Sequence, residues 1–325
     1  MLEKARGFLR REQPDPWPPP AISLALQGGG SFGAFAWGVL DRLLEERATR
    51  FDAISGASAG AVNAVVMTSG LIEGGREGAR SRLHQFWKRV SQSAGFLPQA
   101  APGFDLIMRA MSPYQLNPFN VNPLREALEA EVDFERLRAQ TKVKLLIGAT
   151  RVLDGHLRIF TGPDLTVDAI LASACLPLLH HTVELNGEAY WDGGYAANPP
   201  LIPLVLSSVA DHLLIVQLTP AIWEKVPLTA RDVARRVEQI QFNATLNSDL
   251  EALKYGKLIG ATAKLKRLRI GRISAEDQYA GLADESAANL GWAFLQRLHD
   301  AGRLGADAWL GRAMPAHRVP TPSLF

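Results

Sequence analysis

The segment Gly56-Ala57-Ser58-Ala59-Gly60 constrains the fold more than any other feature of the sequence. It joins an apolar run, residues 51–55, to a run with helical character, residues 61–67. A serine between two glycines on a strand-to-helix turn is the arrangement of a nucleophile elbow, whose sharp turn exposes the hydroxyl at the edge of a sheet. The helix that follows would favour negative charge developing at the serine. Ser58 is therefore a candidate nucleophile of an α/β domain.

The same pentapeptide has a second interpretation. Glycine and serine are common enough that G-x-S-x-G arises by chance in about one chain in ten of this length. A glycine-rich turn in which Ser58 serves as the N-cap of a helix would show the same pattern. Other parts of the chain must therefore decide whether Ser58 takes part in chemistry.

Composition limits the class of protein. The 325 residues are 47% hydrophobic, which supports a substantial core and argues against disorder. The formal net charge of +2 predicts no general affinity for nucleic acid. Cys175 is the single cysteine, so no intrachain disulfide can form and a reducing compartment is expected. Because neither a signal peptide nor a membrane-spanning run is apparent, we expect a soluble cytoplasmic protein, or one bound peripherally to a membrane.

The order of hydrophobic periodicities predicts an α/β layered domain with a largely parallel sheet. Strands are expected at residues 21–27, 51–55, 142–152, 157–160, 182–191 (a hairpin), 212–218 and 264–273. Helices are expected at residues 32–46, 61–70, 78–92, 166–174, 229–257 and 284–301. The hairpin should turn at Asn186-Gly187, the sequence typical of a type I′ turn.

Three regions are assigned from their composition. Residues 1–20 are charged and proline-rich, and we expect an N-terminal arm outside the fold. Residues 21–220 should form the main core, and residues 221–325 a helical and strand extension packed on the same domain. Residues 91–123 are apolar without clear periodicity, which fits either a lid or a connection packed on the core. We favour the connection.

A glycine loop follows the first strand. The amides of Gly28-Gly29-Gly30 should lie at the same sheet edge as Ser58, where they and the amide of Ala59 could stabilise the oxyanion of an acyl transfer. The loop and Gly33 also fit G-x-G-x-x-G, the fingerprint of a nicotinamide-dependent oxidoreductase. That fingerprint needs an acidic residue at the end of the second strand, whereas Asp52 lies at its beginning. The loop therefore fits an oxyanion cradle better.

A serine nucleophile also needs a base. Asp192 ends the predicted hairpin, and Gly193 and Gly194 follow it. A carboxylate within hydrogen-bond reach can accept a serine proton, although an ordinary Asp-Gly turn has the same sequence. No histidine lies in a catalytic signature; the seven are His84, His156, His180, His181, His212, His299 and His317.

Four elements, taken in order, resemble the patatin-like phospholipase family. They are the glycine loop closed by Gly33, the elbow at Ser58, the A-S-A-C-L-P segment at residues 172–177, and D-G-G at residues 192–194 with its N-P-P run. The resemblance covers about residues 21–220, which would be the patatin-like catalytic core. It implies a three-layer α/β/α patatin-like fold with a central, largely parallel sheet.

The resemblance also implies a Ser-Asp dyad in place of a triad. Ser58 would be the nucleophile and Asp192 the general base, while Gly28, Gly29 and Gly30 would supply oxyanion-hole amides. The family hydrolyses acyl esters of lipids, namely phospholipids, lysophospholipids, glycerides and short artificial esters, and needs no cofactor or metal. We therefore expect a lipid or other acyl ester as the substrate.

Two positions depart from the family pattern. Phe32 lies where the family often carries Arg or Lys, which puts a preference for anionic headgroups in doubt. This departure adds weight to an alternative, a non-catalytic lipid-binding or scaffold protein on the same fold. His180-His181 replaces aromatic and proline residues, and we expect these histidines to be strand residues and not catalytic groups. Cys175 is expected to be a small core residue.

Two further stretches could contact partners. Residues 264–273 alternate basic with apolar side chains, as would a strip on an anionic lipid surface or a sheet edge protected by charge, and we favour the edge. The arm carries Leu2, Phe8, Leu9 and Trp17, which could bind a membrane or a second subunit of a homo-oligomer. The sequence does not choose between these.

Overall fold

The computed structural model describes residues 16–93, 112–140, 142–223 and 226–311. The strands are β1 (Ala21–Leu26), β2 (Arg50–Gly56), β3 (Lys144–Arg151), β4 (Leu157–Phe160), β5 (Val183–Leu185), β6 (Glu188–Asp192), β7 (His212–Gln217) and β8 (Arg269–Ser274). The helices are α1 (Gly33–Glu45), α2 (Ala59–Ser93), α3 (Pro113–Leu116), α4 (Pro123–Glu131), α5 (Phe134–Ala139), α6 (Val167–Ser173), α7 (Leu201–Ser207), α8 (Ala230–Leu258), α9 (Ala263–Arg267), α10 (Ala275–Gln278) and α11 (Trp292–Leu310).

All the strands belong to one sheet in the order β5-β6-β3-β2-β1-β7-β8, with β4 paired to β3. The run from β3 to β8 is parallel, and β4, β5 and β6 add antiparallel pairs. Leu26 at the end of β1 pairs with Gly56 of β2 and Val216 of β7. The loops after these strands therefore meet at one edge, here called the carboxyl edge. The opposite edge is called the amino edge.

Side chains of β1 alternate between two buried clusters. Ile22, Leu24 and Leu26 pack in the larger cluster with side chains of α1, α2 and α11. Ala25 faces the smaller cluster, which includes side chains of α7 and α8. A central strand that is buried on both faces requires helices on both sides of the sheet. The predicted three-layer α/β/α fold with a largely parallel sheet is confirmed.

The structure confirms the hairpin of β5 and β6. Asn186 and Gly187 have φ values of 53° and 80°, as a type I′ turn requires. The two helices predicted after Ser58 form one element, α2, that is broken where Gly74 and Gly75 leave helical geometry. Among the described residues, no helix combines the length and the apolar character needed to cross a bilayer.

Two predicted elements are wrong in part. The strand predicted at residues 264–273 begins only at Arg269, because the Thr262 hydroxyl accepts a hydrogen bond from the Leu265 amide and caps the short helix α9. The final helix begins at Trp292 instead of residue 284. The residues before it form a loop whose Ala287 carbonyl accepts a hydrogen bond from the Ser31 amide.

The last residues of the predicted arm pack on the domain. The Trp17 ring lies 4.8 Å from that of Trp309, and its Nε1 donates to the Leu310 carbonyl at 2.7 Å. The Pro19 carbonyl accepts a hydrogen bond from the Thr49 hydroxyl at 2.8 Å. Residues 16–20 thus belong to the fold, in contrast to the arm predicted up to residue 20. Residues 1–15 lie outside the described residues.

The apolar segment predicted as a lid or a connection is described only in part. Residues 94–111 lie outside the described residues. After them, the Tyr114 ring packs on His181 at 4.3 Å, and its hydroxyl accepts a hydrogen bond from the Thr182 amide at 3.3 Å. This described end of the segment packs against the loop that precedes β5.

Candidate active site

The turn from β2 into α2 holds Ser58 in a strained conformation. Its φ is 53°, in the left-handed region that residues other than glycine rarely adopt. The Ser58 amide donates to the carbonyl and to the hydroxyl of Ser173, each at 3.1 Å. A Cβ built on Gly60 would lie 2.0 Å from the Leu26 carbonyl oxygen, so only glycine fits there. These features are those of a nucleophile elbow.

Ser173 holds the backbone of the elbow in place through its hydroxyl group. Its hydroxyl donates to the Gly148 carbonyl on β3 at 2.6 Å while it accepts from the Ser58 amide. The side chain is fully buried at the end of α6. This gives the A-S-A-C-L-P segment a physical role that its sequence did not reveal, because it ties β3 to the backbone of Ser58.

Asp192 ends β6 beside the elbow and is fully buried. Its Oδ1 accepts a hydrogen bond from the Gly194 amide at 2.8 Å. Its Oδ2 has no hydrogen-bond partner among the described residues. A Cβ built on Gly193 would lie 3.2 Å from the Cβ of Ala57, which shows how closely the D-G-G turn approaches the elbow. The structure therefore brings the two predicted dyad members together.

Burial raises the pKa of Asp192 from 3.8 to about 6, and the Ser58 hydroxyl and the Gly194 amide offset part of that rise. The Ser58 hydroxyl is thus near enough to lower the pKa of the carboxyl group. It does not, however, form a hydrogen bond of normal geometry with Asp192 Oδ2. Catalytic hydrogen bonds are often long in free enzymes and tighten when substrate binds. A carboxylate with a pKa near 6 is charged at neutral pH and is a stronger base than an exposed one.

The predicted oxyanion loop passes directly over Ser58. A Cβ on Gly28 would lie 2.7 Å from the Cβ of Ser58. The amide of Gly28, however, donates to Asn198 Oδ1 at 2.7 Å and is not free for a substrate. Among the described residues, the amides of Gly29, Gly30 and Ala59 have no hydrogen-bond acceptor. Of the predicted donors, these amides remain available to bind an oxyanion.

Asn198 is a buried site residue whose role sequence reasoning missed. Its Oδ1 accepts from Gly28, and its Nδ2 donates to the Phe242 carbonyl on α8 at 3.2 Å. The side chain is fully buried. Buried polar side chains need hydrogen-bond partners, and this one finds them in the glycine loop. The sequence signal was a polar residue in an apolar run, Ala-Ala-Asn-Pro-Pro, which matched the family without indicating a contact.

Within the described residues, no histidine is seen to join this pair. None of the six within the described residues has a hydrogen bond to Ser58 or Asp192, and His317 lies outside those residues. His180 and His181 were expected to be strand residues. They lie instead in the loop before β5, which begins at Val183. His180 Nδ1 accepts from the Leu176 amide at 3.2 Å, and burial lowers its pKa. Pro177 lies in the same loop, three residues before His180.

Three other predicted positions have structural roles. Phe32 is buried with its ring 6.4 Å from that of Phe294, so the position at which the family often has a cation belongs to the core here. Asp52 accepts hydrogen bonds from the Ser208 hydroxyl and the Val209 amide at the amino edge, away from the glycine loop. Cys175 is buried, as expected of a small core residue.

Metal ligation has no site in the part of the chain that is described, where no group of three His, Cys, Asp or Glu side chains could hold an ion. The chemistry open to this arrangement is nucleophilic attack by a serine with a buried carboxylate as its base.

Comparisons with solved structures give distant likenesses. VipD from Legionella pneumophila is 16% identical, with 87% of this chain and 67% of VipD covered and a TM-score of 0.41. The type III effector protein ExoU is 16% identical, with 90% and 53% covered and a TM-score of 0.36. ExoU in its heterodimeric complex with SpcU from Pseudomonas aeruginosa is 16% identical, with 90% and 52% covered and a TM-score of 0.38. The chain thus spans about half the length of ExoU.

No curated protein matches the sequence significantly. The family comparison is more informative, because the sequence matches the patatin-like phospholipase family over residues 24–205, more than half of the chain. The match contains the glycine loop, the elbow and the D-G-G turn. The chain therefore belongs to the patatin-like phospholipase family.

Proposed function

We propose that the chain is a lipid acyl hydrolase of the phospholipase A, lysophospholipase or esterase type, acting through an acyl-enzyme on Ser58 with Asp192 as general base. Lipid hydrolysis is the activity of the family as a whole. The observation that carries the finer proposal is the fully buried Asp192 carboxylate, whose pKa the hydroxyl of the strained Ser58 acts to lower. Its Oδ2 has no hydrogen-bond partner among the described residues, and a catalytic role is one explanation for a buried polar atom of this kind.

In the proposed first step, Ser58 Oγ attacks the ester carbonyl and its proton passes to Asp192. The tetrahedral intermediate then collapses, the bond to the leaving alcohol breaks, and the alcohol takes the proton from Asp192. In the second step a water molecule gives its proton to Asp192 and attacks the acyl-enzyme. Release of the fatty acid returns that proton to Ser58, which balances the cycle without any cofactor.

The free amides of Gly29, Gly30 and Ala59 are the proposed oxyanion donors. Preorganised backbone donors stabilise the negative charge that develops on the carbonyl oxygen and need no rearrangement during the reaction. Gly28 has a different role in this proposal. Its amide holds the Asn198 side chain, and its missing side chain makes room for Ser58.

A fluorophosphonate probe tests the proposal. Ser58 Oγ should displace fluoride from phosphorus, and intact mass and peptide mapping should locate one adduct on Ser58. A non-catalytic lipid-binding or scaffold protein on the same fold would stay unmodified. Heat-denatured protein and the Ser58→Ala variant are the controls, and both should remain unlabelled. Folded protein without an adduct would contradict the enzyme and favour the binder.

The lipid should reach Ser58 from the carboxyl edge. Leu178 is 69% exposed in the loop between the Ser173 segment and β5, and Leu179 beside it is also exposed. Tyr195, exposed as well, follows Asp192 by one turn. Exposed apolar side chains around a site suit contact with a lipid surface. We therefore place the membrane contact here, on a protein that we take to be cytoplasmic and peripheral.

The basic stretch at residues 264–273 lies at the opposite edge of the sheet from this proposed membrane contact. The Lys264 ammonium donates to the carbonyls of Val205 and Ser208, and Arg267 pairs with Asp211 at 3.1 Å. These contacts lie at the amino edge, where β7 and β8 begin. The stretch borders the last strand of the sheet order, so its position supports the interpretation as a sheet edge protected by charge.

The effect of this surface can be measured with two substrates. Leu178→Asp should lower the rate on phospholipid vesicles about tenfold or more, because a charge opposes insertion into the interface. The rate on a short soluble ester should stay within about twofold, since the dyad is unchanged. Leu206→Asp is the matched control, because Leu206 is 78% exposed at the end of α7 near the amino edge. Equal effects of both variants on vesicles would contradict the assignment.

A further inference from the structure

Three buried amide side chains meet behind the glycine loop. Gln27 follows β1, Gln217 ends β7, and Asn243 lies on α8. Asn243 Oδ1 accepts hydrogen bonds from Gln27 Nε2 at 3.0 Å and from Gln217 Nε2 at 3.1 Å. Asn243 Nδ2 donates to the carbonyl of Pro220 at 3.0 Å. Asn243 therefore joins the ends of two central strands to a helix.

Gln27 is the residue immediately before the glycine loop, and its orientation is fixed. Its Oε1 accepts from the amides of Leu218 and Thr219 at 2.7 and 2.8 Å, so its Nε2 faces Asn243. The Leu218 side chain then supports the loop, since a Cβ on Gly29 would lie 3.2 Å from the Leu218 Cβ. The amide cluster thus sets the position of the backbone that carries the proposed oxyanion donors.

The same turn of α8 also reaches the loop by a second path. The carbonyl of Phe242, the residue before Asn243, accepts from Asn198 Nδ2, and Asn198 Oδ1 accepts from the Gly28 amide. The Phe242 ring packs against Gly194, where a Cβ would lie 2.7 Å from its Cε1. Phe242 and Asn243 are therefore linked to the glycine loop through Asn198 and Gln27, and Phe242 also packs on the turn after Asp192. This helix lies beyond residue 205, where the family match ends.

We propose that Asn243 is a positioning residue that holds the oxyanion loop in its reactive geometry, an inference that rests on the proposed hydrolase function. Buried amide networks whose donors and acceptors are all satisfied are rigid. Oxyanion donors stabilise the transition state only when they are already in place, and a misplacement of about 1 Å can cost about 100-fold in rate. Loss of Asn243 should therefore act on kcat and leave substrate binding nearly unchanged.

The test compares full-length variants on one soluble ester. Asn243→Ala and Asn243→Ser both remove the bond to Gln27, and each should lower kcat about 10- to 100-fold with KM within about threefold. The smaller change in Asn243→Ser keeps the test available if Asn243→Ala does not fold. Asn243→Asp keeps the acceptor for both glutamines but places an acceptor oxygen against the Pro220 carbonyl, so it too should lose kcat. Asn247→Ala on the exposed side of the same helix is the matched control and should resemble the wild type.

The outcomes separate the inference from the proposed function. A folded Asn243→Ala protein that loses thermal stability but keeps its kcat would overturn the positioning role, since a purely structural amide does that. A rise in KM at constant kcat would overturn it as well. If the wild-type protein shows no activity that depends on Ser58, the hydrolase proposal itself fails. Loss of kcat at nearly constant KM in the Asn243 variants, with wild-type kinetics in Asn247→Ala, supports the inference.

Discussion

Replacing Ser58 by alanine is expected to lower kcat/KM for a short soluble ester about 10⁴- to 10⁶-fold, because no other group can form the acyl-enzyme. The loop amides and the binding surface would remain, so a small rate above that of water should persist. The fold should not change, since the variant removes one oxygen from a side chain that is 7% exposed. The measurement is steady-state hydrolysis of a p-nitrophenyl ester with the folded state checked by thermal unfolding.

The chain offers a close control for this experiment. Ser55 lies on β2, three residues before Ser58, and is fully buried. Its hydroxyl has no hydrogen-bond partner among the described residues. Ser55→Ala should therefore retain activity within about twofold and destabilise the protein little. Full activity of Ser58→Ala would contradict the proposed mechanism. If Ser55→Ala lost as much activity as Ser58→Ala, the losses would reflect damage to the elbow and not the loss of a nucleophile.

Asp192→Asn is expected to lower kcat/KM about 10³- to 10⁴-fold, because the amide cannot take the serine proton. In the wild-type protein, kcat/KM should fall as the pH drops through about 6, where burial places the pKa of Asp192. The residual activity of the variant should not show this acid limb. A pH–rate profile of the two proteins on a neutral ester measures both effects.

The same substitution should make the protein more stable at neutral pH. Asp192 has a pKa of about 6 when folded and an ordinary value of 3.8. A carboxyl whose pKa is raised on folding stabilises the protein only while it is protonated, and this contribution is lost as the pH rises through about 6. At pH 8 its charge should therefore cost about 3 kcal/mol. Asparagine carries no charge, so the gain of Asp192→Asn in the free energy of unfolding should grow from pH 4 to pH 8.

Asp52 is the natural control for the sign of this effect. It is also buried, which acts to raise its pKa, but hydrogen bonds from the Ser208 hydroxyl and the amides of Val209 and Ala210 outweigh burial and lower it. Asp52→Asn should therefore destabilise the protein at neutral pH and leave the rate constants unchanged. Denaturant unfolding of both variants at pH 4.5 and pH 8 is the measurement. A loss of stability in Asp192→Asn at pH 8 would contradict the burial argument.

The fold could be predicted because its signals are local. The strand-turn-helix at Ser58, the hairpin at Asn186-Gly187 and the apolar runs of β1 and β7 each report their own conformation. The errors fell where a single hydrogen bond outweighed the periodicity. Thr262 caps a short helix within an alternating pattern, and the loop before Trp292 is held by its contact with Ser31. Sequence periodicity carries no information about such contacts.

Of the site, the sequence could indicate the groups that have a motif, and Ser58, Asp192 and the glycine loop lie together as their order suggested. Asn198 and Asn243 could not be recognised as partners of the loop. Their hydrogen bonds join positions 170 or more residues apart, and an isolated asparagine has no pattern that indicates its partner. The prediction that all three loop glycines donate to an oxyanion missed the competing bond from Gly28 to Asn198 for the same reason.

The contact of Trp17 with Trp309 has a practical consequence for handling the protein. It brings the beginning and the end of the described chain together beside His212, at the edge of the sheet opposite Ser58. Neighbouring ends of this kind permit circular permutation, in which the ends are joined and the chain is opened elsewhere. They also allow a solid support to be attached near either end, with Ser58 on the far side of the sheet. The amino edge of the sheet is therefore a suitable place for attachment.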